Sequence, residues 1–394
     1  MSPLDLSVKT VGLNRLATAL RPSPTMAAAA MPSLHPDCVD LTVGEPTLAP
    51  PFEAREAAAR AAREDLAHYG PVAGLPALRE AVAADLTRRD GIPRRVEHVL
   101  VTPGGKSALL DALRCILNPG DEVLVFAPAW PTFLDQVRWA GGVPVLVPCG
   151  PDLLPSLQDL AAAIGPRTRA VIVNEPSNPS GVRWDRARTT FLADLALAQG
   201  LWVILDQVYG TLSFEGDGRP FLARVPELAD RALGVESFSK RFAMTGYRLG
   251  VASGPASLIQ AMTALGSSSH THASMIAQHA ALEALASGRP WEAAHLEALR
   301  RKRDLGCEAL AGIPGVSVPR PEGGLYLFPD VSGWMARLGW TEDPEVTAWL
   351  RDDVGVKVLP GSAFGAPGRL RLSLGAPQDR FALGMARLRE AFLG

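Results

Sequence analysis

Lys240 stands in the run Ser237-Phe238-Ser239-Lys240-Arg241-Phe242-Ala243-Met244-Thr245-Gly246-Tyr247-Arg248. A lysine amine can condense with an aldehyde to form an imine. The serines just before it and the arginine eight positions after it offer hydrogen bonds and positive charge to a phosphate. Aldehyde and phosphate together describe pyridoxal phosphate, whose dianionic end needs an anchor whenever the imine opens. Taken alone, a lysine beside two serines is more often a solvated surface charge. The rest of the chain has to supply the case.

Other groups of the right types follow apolar runs. Gly104-Gly105-Lys106-Ser107 comes after a short strand pattern and opens a helical one. Glycines let a backbone approach closely, and free N–H groups at a helix start attract phosphate, although Gly-Gly is also a plain turn. Asp206 follows Leu201-Trp202-Val203-Ile204-Leu205, with Tyr209 three residues on. Such an aspartate is a helix cap, a metal ligand or a partner for a cofactor cation. Beside a pyridine nitrogen it would keep that nitrogen protonated, since an opposite charge shifts a pKa by about 1–3 units. That helps the ring accept electrons from a breaking Cα–H bond.

Asn174-Glu175-Pro176-Ser177-Asn178-Pro179-Ser180-Gly181 reads as a loop whose asparagines could also reach a cofactor oxygen. Trp130 could stack on a heteroaromatic ring or pack as core. Arg371, within Leu370-Arg371-Leu372-Ser373, is costly to bury alone; its fork suits either a ligand carboxylate or an internal salt bridge.

These groups need a scaffold. Val99–Thr102, Glu122–Phe126, Val143–Val147, Ala170–Asn174 and Leu201–Leu205 read as strands. Helical patterns at 106–117 and 186–199 alternate with them, and Pro144 limits its strand to an edge or an end. The alternation predicts an α/β fold with a mainly parallel sheet, whose ligand site lies beyond the strand ends. One long helical pattern runs from 256 to about 286. Strand patterns at Gly323–Phe328 and Arg369–Leu374, near helical ones, predict an α+β region. The expected division is an N-terminal segment at 1–45 packing with a small domain at 288–394, and a large domain at 46–287.

At 394 residues the chain exceeds one ordinary core. A formal net charge of −2 gives no basic field for nucleic acid. No apolar run reaches the length of a membrane span. The four cysteines, Cys38, Cys115, Cys149 and Cys307, show no metal-ligand spacing, and the expected setting is the reducing cytoplasm.

Taken together, the chain resembles the fold-type I pyridoxal-phosphate-dependent aminotransferases of class I/II, nearest to the bacterial aspartate aminotransferase branch. The likeness runs from about Arg21 to the C-terminus. It is carried by Pro22-Ser23-Pro24-Thr25, Leu41-Thr42-Val43-Gly44-Glu45-Pro46, His68-Tyr69-Gly70-Pro71-Val72-Ala73-Gly74, the Gly-Gly-Lys turn, Asn178-Pro179-Ser180-Gly181, Asp206 to Tyr209 and the Lys240 segment.

The resemblance implies a seven-stranded, cofactor-binding large domain and a smaller domain built from both termini. It implies Lys240 as the imine lysine and proton carrier, and Asp206 as partner of the ring nitrogen. Asn178 and Tyr209 would bond the ring oxygen, and Trp130 would stack on the ring. Gly105, Lys106, Ser237 and Arg248 would surround the phosphate, with Tyr69 arriving from the second subunit of a homodimer. Arg371, helped by Gly44, would hold the substrate α-carboxylate. Ser23, Thr25 and Lys106 match positions that favour an acidic side chain, and the stretch Ser267–His272, with His270 and His272, is expected near the side-chain pocket of its own or of the second subunit.

The implied activity is amino transfer from an L-amino acid to a 2-oxo acid, with aspartate or glutamate as one partner. Elimination, cyclisation or oxidation on the same scaffold is the alternative.

Overall fold

The computed structural model describes residues 23–394 apart from Asp217, together with Gly12 and Thr18. Pro22 and the other positions before Ser23, Gly12 and Thr18 excepted, therefore lie outside the described residues. Strands are numbered along the chain: β1 (Val39–Asp40), β2 (Val99–Thr102), β3 (Glu122–Ala127), β4 (Val143–Pro148), β5 (Thr168–Asn174), β6 (Trp202–Asp206), β7 (Ala232–Ser237), β8 (Gly250–Ser253), β9 (Tyr326–Leu327), β10 (Val356–Lys357), β11 (Leu359–Pro360) and β12 (Leu370–Ser373).

Seven of them form one sheet in the order β2-β8-β7-β6-β5-β3-β4. Pairings among β7, β6, β5, β3 and β4 are parallel, and β8 runs antiparallel to both β7 and β2. The central strands are apolar throughout because helices cover both faces. β4 takes the edge, where the N–H groups missing at Pro144 and Pro148 are least needed.

Two antiparallel pairings in succession restore direction, so β2 points the same way as β7. The C-terminal ends of β2, β3, β5, β6 and β7, and the N-terminal end of β8, share one edge of the sheet. Gly104, Asn174, Asp206, Ser237 and Arg248 all emerge there.

The other strands gather around a separate core. β1 pairs in parallel with β10, and β11-β12-β9 form a small antiparallel sheet. Leu41 extends the β1 contact, its carbonyl accepting from Ser373 N–H at 2.8 Å. The helix Arg289–Leu310 buries Leu299 and Leu310 against Leu327, Leu372 and Phe381.

Two expectations need correction. The helical pattern 256–286 is two helices, Ala256–Ser269 and Met275–Ser287. Thr271 adopts φ +63°, which ends the first, and the Ser274 hydroxyl caps the second. The predicted strand at Gly323–Phe328 shortens to Tyr326–Leu327. Gly324 turns at φ +86°, and Pro329 follows Phe328 with no N–H to extend pairing.

Candidate active site

The shared sheet edge opens into a cavity of about 410 Å³, closed on the far side by Tyr326, Arg371 and the N-terminal helix Pro24–Ala30. Its lining carries the cations Lys106, Lys240, Arg248 and Arg371, against the carboxylates Glu45 and Asp206. An anionic ligand suits this balance.

At one end the helix Gly105–Ile116 begins directly on the cavity. Its first amides, at Gly105 and Lys106, have no backbone acceptor among the described residues. Gly104 sits at φ +91°, and a Cβ there would press on Arg248 Nη2 at 2.8 Å. Ser237 ends β7 and caps the next turn, accepting from Ser239 N–H at 3.1 Å. Arg248 adds charge from the start of β8. This end is built for a phosphate.

At the other end Asp206 is buried at the tip of β6. Its Oδ1 accepts from Val208 N–H at 3.2 Å, and no cation pairs with it among the described residues. Burial pushes its pKa up to about 7. A cationic partner at this position would reverse that shift. Asn174 Nδ2 donates to the Asp206 carbonyl at 3.1 Å, and Asn174 Oδ1 accepts from Asn178 N–H at 2.6 Å.

Lys240 lies between the two ends, in the four-residue helix Phe238–Arg241. Its amine donates to the Gly44 carbonyl. Burial lowers its pKa, with Tyr326 and Glu45 opposing that effect and Arg248 and Arg371 adding to it. Trp130 flanks the cavity, with Lys106 Nζ 4.8 Å from its ring centre.

Arg371 is buried in β12. Nη1 donates to Asn178 Oδ1 at 3.1 Å and Nη2 to the Thr42 carbonyl at 2.6 Å. Nε is buried without a partner, and no carboxylate pairs with the group among the described residues. The salt-bridge reading is therefore set aside. The Arg371 guanidinium lies 4.2 Å from the centre of the Tyr326 ring.

Gly105, Lys106, Trp130, Asn178, Asp206, Tyr209, Ser237, Lys240, Arg248, Gly44, Thr25 and Arg371 are thus brought together around one cavity. Two predicted residues are not. Tyr69 is 91% exposed and meets His272 edge-on at 5.8 Å. His270 does not face the cavity of its own chain. Its Nε2 bonds Asp111 Oδ2 at 2.9 Å, because the helix it terminates packs on the helix Gly105–Ile116.

Sequence reasoning missed Tyr326, Glu45 and Thr245, which also line the cavity. Tyr326 had a usable signal: a tyrosine in an apolar strand after two glycines needs a partner for its hydroxyl. Glu45 and Thr245, joined by a hydrogen bond, come from segments 200 residues apart and had none.

The residues present fit pyridoxal phosphate. A phosphate-binding helix start and an isolated buried carboxylate lie at opposite ends, with an amine and a flat indole beside them.

Comparison with known proteins agrees. The family profile described as aminotransferase class I and II matches residues 36–386. The chain is 38% identical to the aspartate/prephenate aminotransferase of Thermus thermophilus, over 95% of this chain and 97% of that one. It is 34% identical to the probable aspartate/prephenate aminotransferase of Aquifex aeolicus, over 96% and 98%. The solved aspartate aminotransferase from Thermus thermophilus with maleate superposes at a TM-score of 0.89, with 35% identity, over 97% of this chain and 100% of that one. These relatives do not favour the elimination, cyclisation or oxidation alternative. With its profile match, its sheet and its cofactor-shaped cavity, the chain belongs to the class I and II aminotransferases and is a pyridoxal-phosphate-dependent transaminase.

Proposed function

We propose that this transaminase moves an amino group between a dicarboxylic amino acid, aspartate or glutamate, and a 2-oxo acid. The observation that carries the reading is Lys106. Its amine points into the same cavity as Arg371 and has no carboxylate partner among the described residues. Loss of hydration and the nearby Arg248 lower its pKa, so an anionic partner would be favourable. Two separate cations suit two carboxylates on one substrate. The hydroxyls of Ser23 and Thr25, 2.8 Å apart, offer further hydrogen bonds. Aspartate and prephenate, the substrates in the relatives' names, both carry a second carboxylate.

Bound pyridoxal phosphate supplies the carbon that takes the amino group and a ring that draws electrons from the substrate Cα–H bond. The chain's residues do the rest. Lys240 Nζ takes the Cα proton and returns it, and its lowered pKa favours the free-base form that this needs. Arg371 clamps the α-carboxylate, assisted by the backbone at Gly44. Asp206 would keep a proton on the ring nitrogen. Tyr209 and Asn178 would hydrogen-bond the ring oxygen, and Trp130 would cover the ring face. The backbone amides of Gly105 and Lys106, with Ser237 and Arg248, would hold the phosphate, which leaves the Lys106 amine for the substrate.

The exposure of Tyr69 supports a homodimer in which it completes the phosphate site of a second copy. Separate cores support a division into residues 1–45 with 288–394, and 46–287. Four free cysteines support a cytoplasmic setting.

A half-reaction screen tests the substrate. Protein loaded with cofactor is mixed with one amino acid at a time, and the cofactor absorbance is followed. Aspartate and glutamate should convert it at low concentration. Equal efficiency with neutral aliphatic donors would overturn the assignment. Lys106→Met should raise KM for aspartate but not for alanine.

A further inference from the structure

The helix that carries Lys240 has only four residues, too short to hold its own geometry. What fixes it lies behind it. Arg241, the next residue, is 9% exposed and donates to carboxylates from two different helices. Nε and Nη2 reach Glu292 at 2.5 and 3.2 Å, and Nη1 and Nη2 reach Asp85 at 2.6 and 3.3 Å. Asp85 belongs to the helix Pro76–Asp90 and Glu292 to the helix Arg289–Leu310.

Asp85 also accepts from Arg88 and, at 3.0 Å, from Arg89. Arg89 Nη2 in turn reaches both oxygens of Glu236 at 2.7 Å. Glu236 immediately precedes Ser237. The segment from Ser237 to Lys240 is therefore pinned at both ends by one ion network of three carboxylates and three guanidiniums. The charges balance, so the network's hold on Lys240 is directional rather than electrostatic. Its bidentate geometry is what only arginine provides.

We propose that Arg241 is a positioning residue for Lys240, fixing where the amine stands for proton transfer by tying its turn to Asp85 and Glu292 at once. The inference rests on Lys240 being the proton carrier.

The test uses holoenzyme and single-turnover half-reactions with L-aspartate, protonated or deuterated at Cα. Arg241→Met should lower the saturating rate about 30-fold, since small misplacements at a reacting centre cost up to about 100-fold. Apparent Kd values for aspartate and for pyridoxal phosphate should stay within about threefold, and the deuterium effect should grow as proton transfer becomes limiting. Arg241→Lys, which keeps the charge without the fork, should restore only part of the rate.

An unchanged rate and isotope effect per folded site, with only a lower Tm, would overturn the proposal. So would a loss appearing equally in Kd. If Arg241→Met fails to fold, Glu292→Gln leaves the Asp85 contact intact and should slow the step about threefold to tenfold, again with a larger isotope effect. No change in that variant would be equally fatal. Lys240→Ala serves as the control: full activity there would sink the functional reading itself, independently of Arg241.

Discussion

The phenol oxygens of Tyr209 and Tyr326 lie 3.0 Å apart inside the cavity, joining the end of the large sheet to the small C-terminal one. Both tyrosines are buried, and each shields the other from water. Burial and the neighbouring Tyr326 hold the Tyr209 hydroxyl well above the usual phenol range, so it stays a hydrogen-bond donor. Gly44 passes against this pair. A Cβ at Gly44 would overlap the Tyr326 hydroxyl, and the same residue's carbonyl receives the Lys240 amine. Gly44→Ala must displace either the phenol or the backbone. It should lower kcat/KM at least about 100-fold while costing about 1–3 kcal/mol of stability, an overpacking penalty. Steady-state rates and denaturant unfolding of the one variant check both halves.

Asp206 sets function against stability. Burial raises its pKa, so the folded protein without cofactor keeps a proton that the unfolded chain releases above about 3.8. Stability of the cofactor-free form should therefore fall as pH rises from 3.8 towards 7. Asp206→Asn keeps the shape and removes the charge. It should stabilise the cofactor-free protein by roughly 2–3 kcal/mol at pH 8 and flatten this slope. It should also reduce transamination by several orders of magnitude, because the amide cannot keep the ring nitrogen protonated. Urea unfolding at pH 5 and 8, beside a half-reaction rate, measures the trade.

Legibility followed chemistry more than geometry. Asp206 and Asn174 were readable because each is a polar residue closing an apolar strand, and parallel strands deliver such residues to one edge; Ser237 was readable only from its place three residues before Lys240, and its strand was missed. The partners that complete the site come from distant segments. Tyr326 lies 117 residues from Tyr209, and Thr42 lies 329 from Arg371, separations that no local pattern encodes. The break at 270–274 was hidden because the sequence on both sides is helical and the gap is only five residues long, with no glycine or proline to mark it. His270 was expected near the side-chain pocket because the resemblance places its stretch there. Within its own chain the packing of two helices sets it against Asp111, a pairing that no local pattern encodes.

His295 offers a stability test from behind the Lys240 turn, whose backbone it faces. It is almost wholly buried, 4.9 Å from Trp291 ring to ring, and both ring nitrogens lack partners among the described residues. Burial pulls its pKa down to about 4 and Lys302 contributes, while the nearby Lys240 backbone, too poorly aligned for a hydrogen bond, opposes the shift. The unfolded chain takes up a proton below 6.5, whereas the folded one waits until about 4. Stability should drain away as pH falls across that window. His295→Leu should remove about 2–3 kcal/mol of this acid sensitivity, read as the difference between its urea unfolding at pH 7 and at pH 4.5 and that of the parent.

Arg371 and Lys106 should separate cleanly in donor kinetics. Two of the five Arg371 donors are engaged, one by Asn178 and one by Thr42, which leaves three for a carboxylate. The Tyr326 and Phe364 rings, 4.2 and 4.9 Å from the guanidinium carbon, keep its plane fixed. Arg371→Lys retains the charge but loses the fork and the stacking. It should raise KM about 10- to 100-fold for every donor alike, because all share the α-carboxylate. Lys106→Met should act on aspartate and glutamate alone. Measuring KM for aspartate and alanine in both variants settles the two roles: an Arg371→Lys effect confined to acidic donors would reassign that arginine to the side-chain pocket.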